Sequence, residues 1–142
     1  MGLQVCLSGA LFATGWYFFI DGVAKASQER FSHNSATFLT WTPGLLSTVA
    51  FFLINLTHAS MFASQGRAAS VGNSTAAATL VLGWALAFGA SILALSLCAS
   101  SFVSPSDKDF SALGTGMVFQ TLFIALSAVC QWSSGVRSRD TY

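Results

Sequence analysis

One stretch near the start of the chain, Leu7–Asp21, is apolar for almost its whole length and ends on an aspartate; it reads LSGALFATGWYFFID. A helix needs about 20 apolar residues to cross the roughly 30 Å of hydrocarbon in a bilayer. Extended to Leu3 and Ala24, the stretch reaches that length. Four aromatic residues gather near its far end, where amphipathic rings favour the level of the lipid headgroups. The stretch therefore predicts a transmembrane helix over about 3–24.

Three further apolar runs follow, separated by short polar segments. They predict helices over about 41–62, 79–102 and 112–132. Composition agrees with a membrane protein, because 54% of the residues are hydrophobic and only 8% are charged, whereas soluble domains average about 25% charged residues. We expect residues 1–142 to form a single membrane domain, an all-α bundle of four transmembrane helices.

Several other classes of protein are disfavoured by the sequence. A net charge of +1 gives no electrostatic attraction to nucleic acid. Three cysteines with no CxxC pattern argue against a disulfide framework or a zinc site. No sequence of the GxSxG, HExxH, P-loop or GxGxxG type is present. The first apolar run has no basic residue before it, and it is longer than the apolar region of a signal peptide. We therefore expect it to be a membrane helix that is not cleaved off. We expect no enzymatic activity, no cofactor and no metal site.

Four polar side chains lie within or at the ends of the predicted helices: Asp21, Asn55, His58 and Gln120. Hydrogen bonds between helices are one role for them, and these contribute about 0.6–2 kcal/mol each. A transport pathway with Asp21 as the titrating group is a second hypothesis, although proton relays usually contain several ionisable groups at membrane depth. A pigment or metal ligand role for His58 is a third. We expect Asp21, Asn55 and Gln120 to fix the bundle or a partner surface, with Asp21 as a polar anchor at the end of the first helix.

The third apolar run carries small residues at a spacing of four. One stripe contains Gly83, Ala87 and Ser91, and a second contains Ala85 and Gly89. Small residues let helices approach closely in a membrane, where lipid supplies no hydrophobic force between them. The pattern predicts that Gly83 and Gly89 lie against other helices, of this chain or of a partner.

Each of the four predicted helices carries a short motif, in this order: Thr14-Gly15-Trp16 with Asp21, Ala50-Phe51-Phe52 with Ile54-Asn55, Leu86-Ala87-Phe88-Gly89 with Ser91, and Val118-Phe119-Gln120 with Phe123. These motifs and their order resemble those of the transmembrane protein 50 family, which includes the fungal vacuolar protein sorting 68. The resemblance implies a small four-helix protein without known catalysis. It also implies a role in late-endosome-to-vacuole traffic, in a complex with a four-helix partner of the leptin-receptor-overlapping-transcript type. The chain departs from the family at its start, where animal members commonly carry a longer lead, and in its alanine- and serine-rich second loop.

Together these features favour a non-enzymatic integral membrane scaffold of the late endosome, vacuole or endoplasmic reticulum. Its expected partners are other multi-pass membrane proteins and membrane lipids. An accessory structural subunit of a large respiratory or photosynthetic complex, with bound lipid or pigment, is the main alternative. A small transporter is a third hypothesis, which would require substrate-dependent flux in proteoliposomes.

Four membrane spans place both termini and the second loop on one side of the membrane, and we expect that side to be cytosolic. The two sides carry equal numbers of basic residues near the helix ends, three on each: Arg67, Arg137 and Arg139 on the side of the termini, and Lys25, Arg30 and Lys108 on the other.

The second loop carries a glycosylation sequon at Asn73. In a microsomal glycosylation assay Asn73 should therefore remain unmodified. The same pattern at Asn55 lies within a predicted span and should also stay unmodified. A glycan on Asn73 would place the second loop in the lumen and contradict this topology.

Overall fold

The computed structural model of the protein describes residues 2–28, 38–63, 72–101 and 112–137, and each range is one helix. The helices are α1 (Gly2–Gln28), α2 (Phe38–Ala63), α3 (Gly72–Ser101) and α4 (Ala112–Arg137). Each contains a segment long and apolar enough to cross a membrane. The described ranges contain no strand. The predicted all-α class with four membrane helices is therefore confirmed.

The helices extend beyond most of the predicted boundaries. Two helices end later than predicted: α1 continues four residues past Ala24, and α4 continues five residues past Trp132. Two begin earlier than predicted: α2 starts three residues before Trp41, and α3 starts seven residues before Thr79. Hydropathy marks only the part of a helix that lies in hydrocarbon, whereas helical hydrogen bonding continues into polar sequence. The sequon at Asn73 thus lies in the first turn of α3 and not in a loop. The rest of the three predicted loops, and Phe102, lie outside the described residues.

α4 is the central helix of the bundle. It packs along α1 and also contacts α2 and α3, while α2 and α3 form a second close pair. α1 and α4 run antiparallel, because Ser8 lies beside Ser127 at one end and Gly22 lies beside Ala112 at the other. Aromatic rings connect α1 to α2. The Phe12–Phe51 and Phe19–Trp41 pairs each have ring centroids 4.9 Å apart.

Glycines allow α1 and α4 to approach closely. A Cβ atom added at Gly22 would lie 2.7 Å from the carbonyl oxygen of Ala112, and one added at Gly116 would lie 2.8 Å from the carbonyl oxygen of Phe18. Real Cβ atoms do not approach backbone oxygens so closely, so larger residues at these positions would push the helices apart. Because hydrocarbon provides no hydrophobic force between helices, this close van der Waals contact is a principal source of stability.

Replacing Gly116 by leucine should destabilise the bundle, because the new side chain would meet the backbone of α1. Overpacking of this kind typically costs about 1–3 kcal/mol, so the thermal midpoint in detergent should fall. Gly89→Leu is the matched control, since nothing lies within 4 Å of a Cβ added at Gly89. Thermal unfolding of both purified variants measures the difference. Equal midpoints for the two variants would contradict the glycine contact between α1 and α4.

Candidate functional site

Gln120 of α4 is fully enclosed, with none of its surface exposed. Neither its Oε1 nor its Nε2 atom has a hydrogen-bond partner within the part of the chain that the structure describes. A side-chain amide buried without partners in an apolar medium destabilises a protein by a few kcal/mol. Gln120 lies eight residues after the start of α4, about 12 Å along the helix. Of the side chains that the structure describes, it is the strongest candidate for a role other than simple packing.

Gly44 of α2 provides the space for this amide. A Cβ atom added at Gly44 would lie 2.6 Å from Cδ of Gln120 and closer still to its oxygen and nitrogen. The Gln120 amide therefore lies directly against the backbone of α2. The residue before Gly44 is Pro43, which lies inside α2, beyond its first turn. Pro43 has no N–H, so the carbonyl of Leu39 loses its helical donor one turn earlier.

Two hydroxyl groups follow the Gly44–Gln120 contact along the two helices. Ser47 follows Gly44 by three residues, and its Oγ atom is buried without a hydrogen-bond partner. Thr121 follows Gln120, and its Oγ1 atom donates to the carbonyl of Val118 at 3.0 Å. Gly44, Ser47, Gln120 and Thr121 together form what we call the α2–α4 polar contact.

Ser47 and Thr121 also line a cleft among α2, α3 and α4. Its empty space is about 190 Å³, including the open mouth. The other lining residues are apolar: Phe51, Ile54, Ala87, Ile124, Ala125 and Ala128. The polar contact therefore borders an apolar gap between three helices, where no side chain of the lining set pairs with Ser47 Oγ.

The chemistry of the α2–α4 polar contact is that of neutral hydrogen-bonding groups. An amide and two hydroxyls donate and accept hydrogen bonds, and none of them titrates near neutral pH. Within the described ranges, no three His, Cys, Asp or Glu side chains are placed so that they could hold a metal ion. The arrangement suits recognition between helix faces, because polar side chains in membranes act chiefly as interhelical contacts.

Asn55 lies on α2 but apart from this contact. It follows Gly44 by 11 residues, which corresponds to about 16 Å along a helix. Its Oδ1 atom is enclosed without a hydrogen-bond partner, while the residue as a whole is partly exposed. His58, for which a ligand role was considered, lies within α2, but its side chain is outside the described part of the structure.

Asp21 has a partner on its own helix. Lys25 Nζ lies 2.6 Å from Asp21 Oδ2, and the two side chains are 59% and 40% exposed respectively. The sequence pattern had placed Lys25 in a loop and Asp21 at the end of the first helix. α1 instead continues to Gln28, so the two residues are one turn apart on the same helical face. Asp21 is thus a polar group with a neighbouring cation.

The structure does not bring Asp21, Asn55 and Gln120 together. Asp21 precedes Gly22, which lies beside Ala112 at the start of α4. Gln120 is about 12 Å further along α4 from that point. The three polar residues singled out from the sequence therefore belong to three separate places in the bundle.

A pair of serines that the sequence reasoning missed connects α1 to α4. Ser8 Oγ donates to the carbonyl of Ser127 at 3.1 Å, Ser127 Oγ donates to the carbonyl of Ser8 at 2.7 Å, and the two hydroxyl oxygens are 2.9 Å apart. Both residues are buried. Isolated serines in two apolar runs were the available signal, but nothing in the sequence indicates that these two would meet.

The two small-residue stripes of α3 face different ways. Gly83 is buried, and a Cβ added there would lie 2.8 Å from Cγ1 of Ile54 on α2. Ala87, of the same stripe, is also buried. Ala85 and Gly89 are exposed, and a Cβ at Gly89 would meet nothing within 4 Å. Gly89 therefore packs against none of the residues that the structure describes on the other helices, and its contact with a partner stays a prediction.

Comparison with known proteins assigns the chain to a family. A family model described as "Uncharacterised protein family (UPF0220)" matches residues 2–142. The chain belongs to this family. It is 25% identical over 142 residues to the "Transmembrane protein 50 homolog" of Dictyostelium discoideum, covering 96% of this chain and 91% of that protein. It is 29% identical over 143 residues to "Vacuolar protein sorting-associated protein 68" of Saccharomyces cerevisiae, covering 90% of this chain and 78% of the yeast protein. No solved structure matches.

The resemblance predicted from the four motifs is thus confirmed, and this UPF0220 member is a multi-pass membrane protein. Several motif residues lie at helix contacts. Gly15 lies beside the carbonyl of Gln120, and Ala50 is fully buried next to Gly83. Phe88 and Gly89 of the third motif are exposed instead. The motifs therefore combine interior contacts with outward-facing positions.

Replacing Gly44 by alanine should destabilise this UPF0220 protein, because the added methyl group would overlap the Gln120 amide. The amide ends a flexible side chain, but it is fully enclosed and so has little room to move away. We expect a loss of about 1–3 kcal/mol. In a Gln120→Ala background the overlap disappears, so the same Gly44→Ala change should cost little. Thermal unfolding of the four proteins of this double-mutant cycle measures the coupling. Gly9→Ala is the control, since a Cβ there meets nothing within 4 Å. Additive losses in the cycle would contradict the contact between Gly44 and Gln120.

Proposed function

We propose that this protein is a non-enzymatic scaffold of endomembrane traffic that holds other multi-pass membrane proteins through contacts between helices. The observation that carries the proposal is the similarity, over 90% of the chain, to the yeast protein named for vacuolar protein sorting. The late endosome, the vacuole and the endoplasmic reticulum are the proposed compartments. A four-helix protein of the leptin-receptor-overlapping-transcript type is the first partner to test, because the family resemblance implies it.

The distribution of buried surface supports a role in helix contact. In the membrane segments of α1, α2 and α3, 17%, 33% and 22% of the residues are buried, against 50% for α4. α4 thus serves the internal packing of the bundle, whereas α1 and α3 have the fewest buried residues and expose about half of their positions. In a membrane that surface meets either lipid or other proteins.

Outward-facing small residues support the same role. Gly9 and Ala13 on α1 are exposed, as are Ala85 and Gly89 on α3. A Cβ at Gly9 or at Gly89 would meet nothing within 4 Å among the described residues. Small residues on an outer face permit a second helix to approach closely. We propose the face of α3 around Ala85 and Gly89 as the principal partner contact.

The test is native affinity purification from endosomal membranes followed by mass spectrometry. The unaltered chain should recover multi-pass proteins of the sorting pathway. Gly89→Leu should reduce that recovery several-fold while leaving the thermal midpoint of the purified chain unchanged. Val129→Leu is the matched control, because Val129 is exposed on α4, outside the proposed contact on α3, and the change keeps the position apolar.

Two results would count against the proposal in different ways. Recovery of a respiratory or photosynthetic complex in place of sorting proteins would favour the accessory-subunit function. Full recovery of sorting proteins by Gly89→Leu would keep the scaffold function and remove the α3 face from it.

A further inference from the structure

Several features that bend helices occur together near the start of α2. Pro43 is fully buried inside the helix, and because it has no N–H it leaves the carbonyl of Leu39 without a helical donor. Threonine hydroxyls donate to backbone carbonyls on both sides of this point: Thr42 to Phe38 at 3.2 Å, and Thr48 to Gly44 at 2.8 Å. Proline and such threonine bonds are both recognised causes of bends in helices.

The next backbone hydrogen bond of α2 lies beside the Gln120 amide. In an α-helix the N–H of Gly44 donates to the carbonyl of Thr40. A Cβ added at Gly44 would lie 2.6 Å from Cδ of Gln120, so the carboxamide lies against the backbone of Gly44. Two consecutive backbone bonds of α2 therefore differ from the rest of the helix, because Pro43 removes the first and a buried carboxamide adjoins the second.

The carboxamide of Gln120 has the chemistry to replace this second bond. Its Oε1 atom accepts and its Nε2 atom donates, and among the described residues neither atom has a partner. Because Gln120 is completely enclosed, water does not reach it to supply those partners. When the bond between Gly44 and Thr40 opens, it frees one N–H donor and one carbonyl acceptor, which are the complement of a carboxamide. Insertion of a side chain into the backbone bonds in this way kinks a helix.

We propose that α2 is hinged at Pro43–Gly44, and that the Gln120 carboxamide inserts between the N–H of Gly44 and the carbonyl of Thr40 when the helix bends. The continuous helix of the structure is one state, in which the amide is unpaired. The bent helix is the other state, in which Oε1 accepts from Gly44 and Nε2 donates to Thr40. One backbone bond is thus exchanged for two bonds to a side chain.

The two sides of the hinge are attached to different helices. Before the hinge, the Trp41 ring packs edge-on against Phe19 of α1, with the ring centroids 4.9 Å apart. Beyond the hinge, Ile54 packs against Gly83 of α3. Bending therefore moves Trp41 relative to α1 while the contact between α2 and α3 stays in place. The hinge is separate from the proposed scaffold function, which uses the outer face of α3.

Fluorine NMR of the full chain in lipid nanodiscs tests the hinge, with 5-fluorotryptophan in place of the four tryptophans. Collective hinge motions take microseconds to milliseconds, a range that relaxation dispersion detects. The Trp41 fluorine, assigned with Trp41→Phe, should show a second resonance or relaxation dispersion, because its ring moves against Phe19. Trp84 should show neither, because it follows Gly83, where α3 meets the part of α2 beyond the hinge.

Three variants separate the hinge from a local motion of the Trp41 ring. Gln120→Leu removes the hydrogen bonds of the side chain at similar volume, so the exchange at Trp41 should fall several-fold. Pro43→Ala restores the missing backbone bond and should also suppress the exchange. Thr121→Val is the matched control, because Thr121 is equally buried on α4 but its hydroxyl bonds within its own helix. Exchange should persist in that variant.

Thermal unfolding and circular dichroism check that each variant is folded, and Gln120→Met takes the place of Gln120→Leu if the leucine variant does not fold. Absence of exchange at Trp41 in the unaltered chain would overturn the hinge. Exchange that persists in the Gln120 variant would overturn the insertion of its amide. Equal loss of exchange in the Gln120, Pro43 and Thr121 variants would indicate a general effect of packing and would also overturn the proposal.

Discussion

The close approach of α1 and α4 is the contact on which the rest of the bundle depends. In hydrocarbon, apolar side chains gain nothing by leaving lipid, so helices adhere where their backbones come close and where polar groups pair. Gly22 and Gly116 remove the side chains that would separate these two helices. The reciprocal bonds of Ser8 and Ser127 join the same helices near their other ends. With α1 held along it, α4 presents its remaining inner surface to α2 and α3.

The polar residues of the spans fall into two groups with different consequences. A hydroxyl side chain is short enough to donate a hydrogen bond to a carbonyl of its own helix, so it needs no hydrogen-bond partner on a neighbouring helix. Among the described residues, Oε1 and Nε2 of Gln120 and Oδ1 of Asn55 have no hydrogen-bond partner. Gln120 is accommodated by a glycine on α2, whereas Asn55 is a half-buried residue of the same helix. The contact between Gly44 and Gln120 is therefore the one amide contact that the structure shows between α2 and α4.

Membership of the UPF0220 family and the structure contribute different parts of the functional argument. The relatives in Dictyostelium and yeast are named as a transmembrane protein and as a vacuolar protein sorting-associated protein, and they support membership of a membrane-protein family. The helices differ in how much of each is buried. Half of the membrane segment of α4 is buried, whereas smaller shares of α2 and α3 are buried, and their outer faces are exposed. A scaffold requires this combination, because a rigid inner contact must hold outer faces in fixed positions for a partner.

The sequence by itself determined the four helices, because transfer of a segment into hydrocarbon depends on that segment's own composition. It located Gln120 within a span for the same reason, but it misjudged the ends of the helices, where polar residues continue the helix beyond the bilayer. Helix contacts were decided only by the tertiary structure. Gly83 and Gly89 belong to similar stripes, yet a separation of six residues turns them about 120° apart, so one meets α2 and the other faces outward. Ser8 and Ser127 are 119 residues apart in the sequence. No local sequence pattern predicts their contact, because it depends on how whole helices pack.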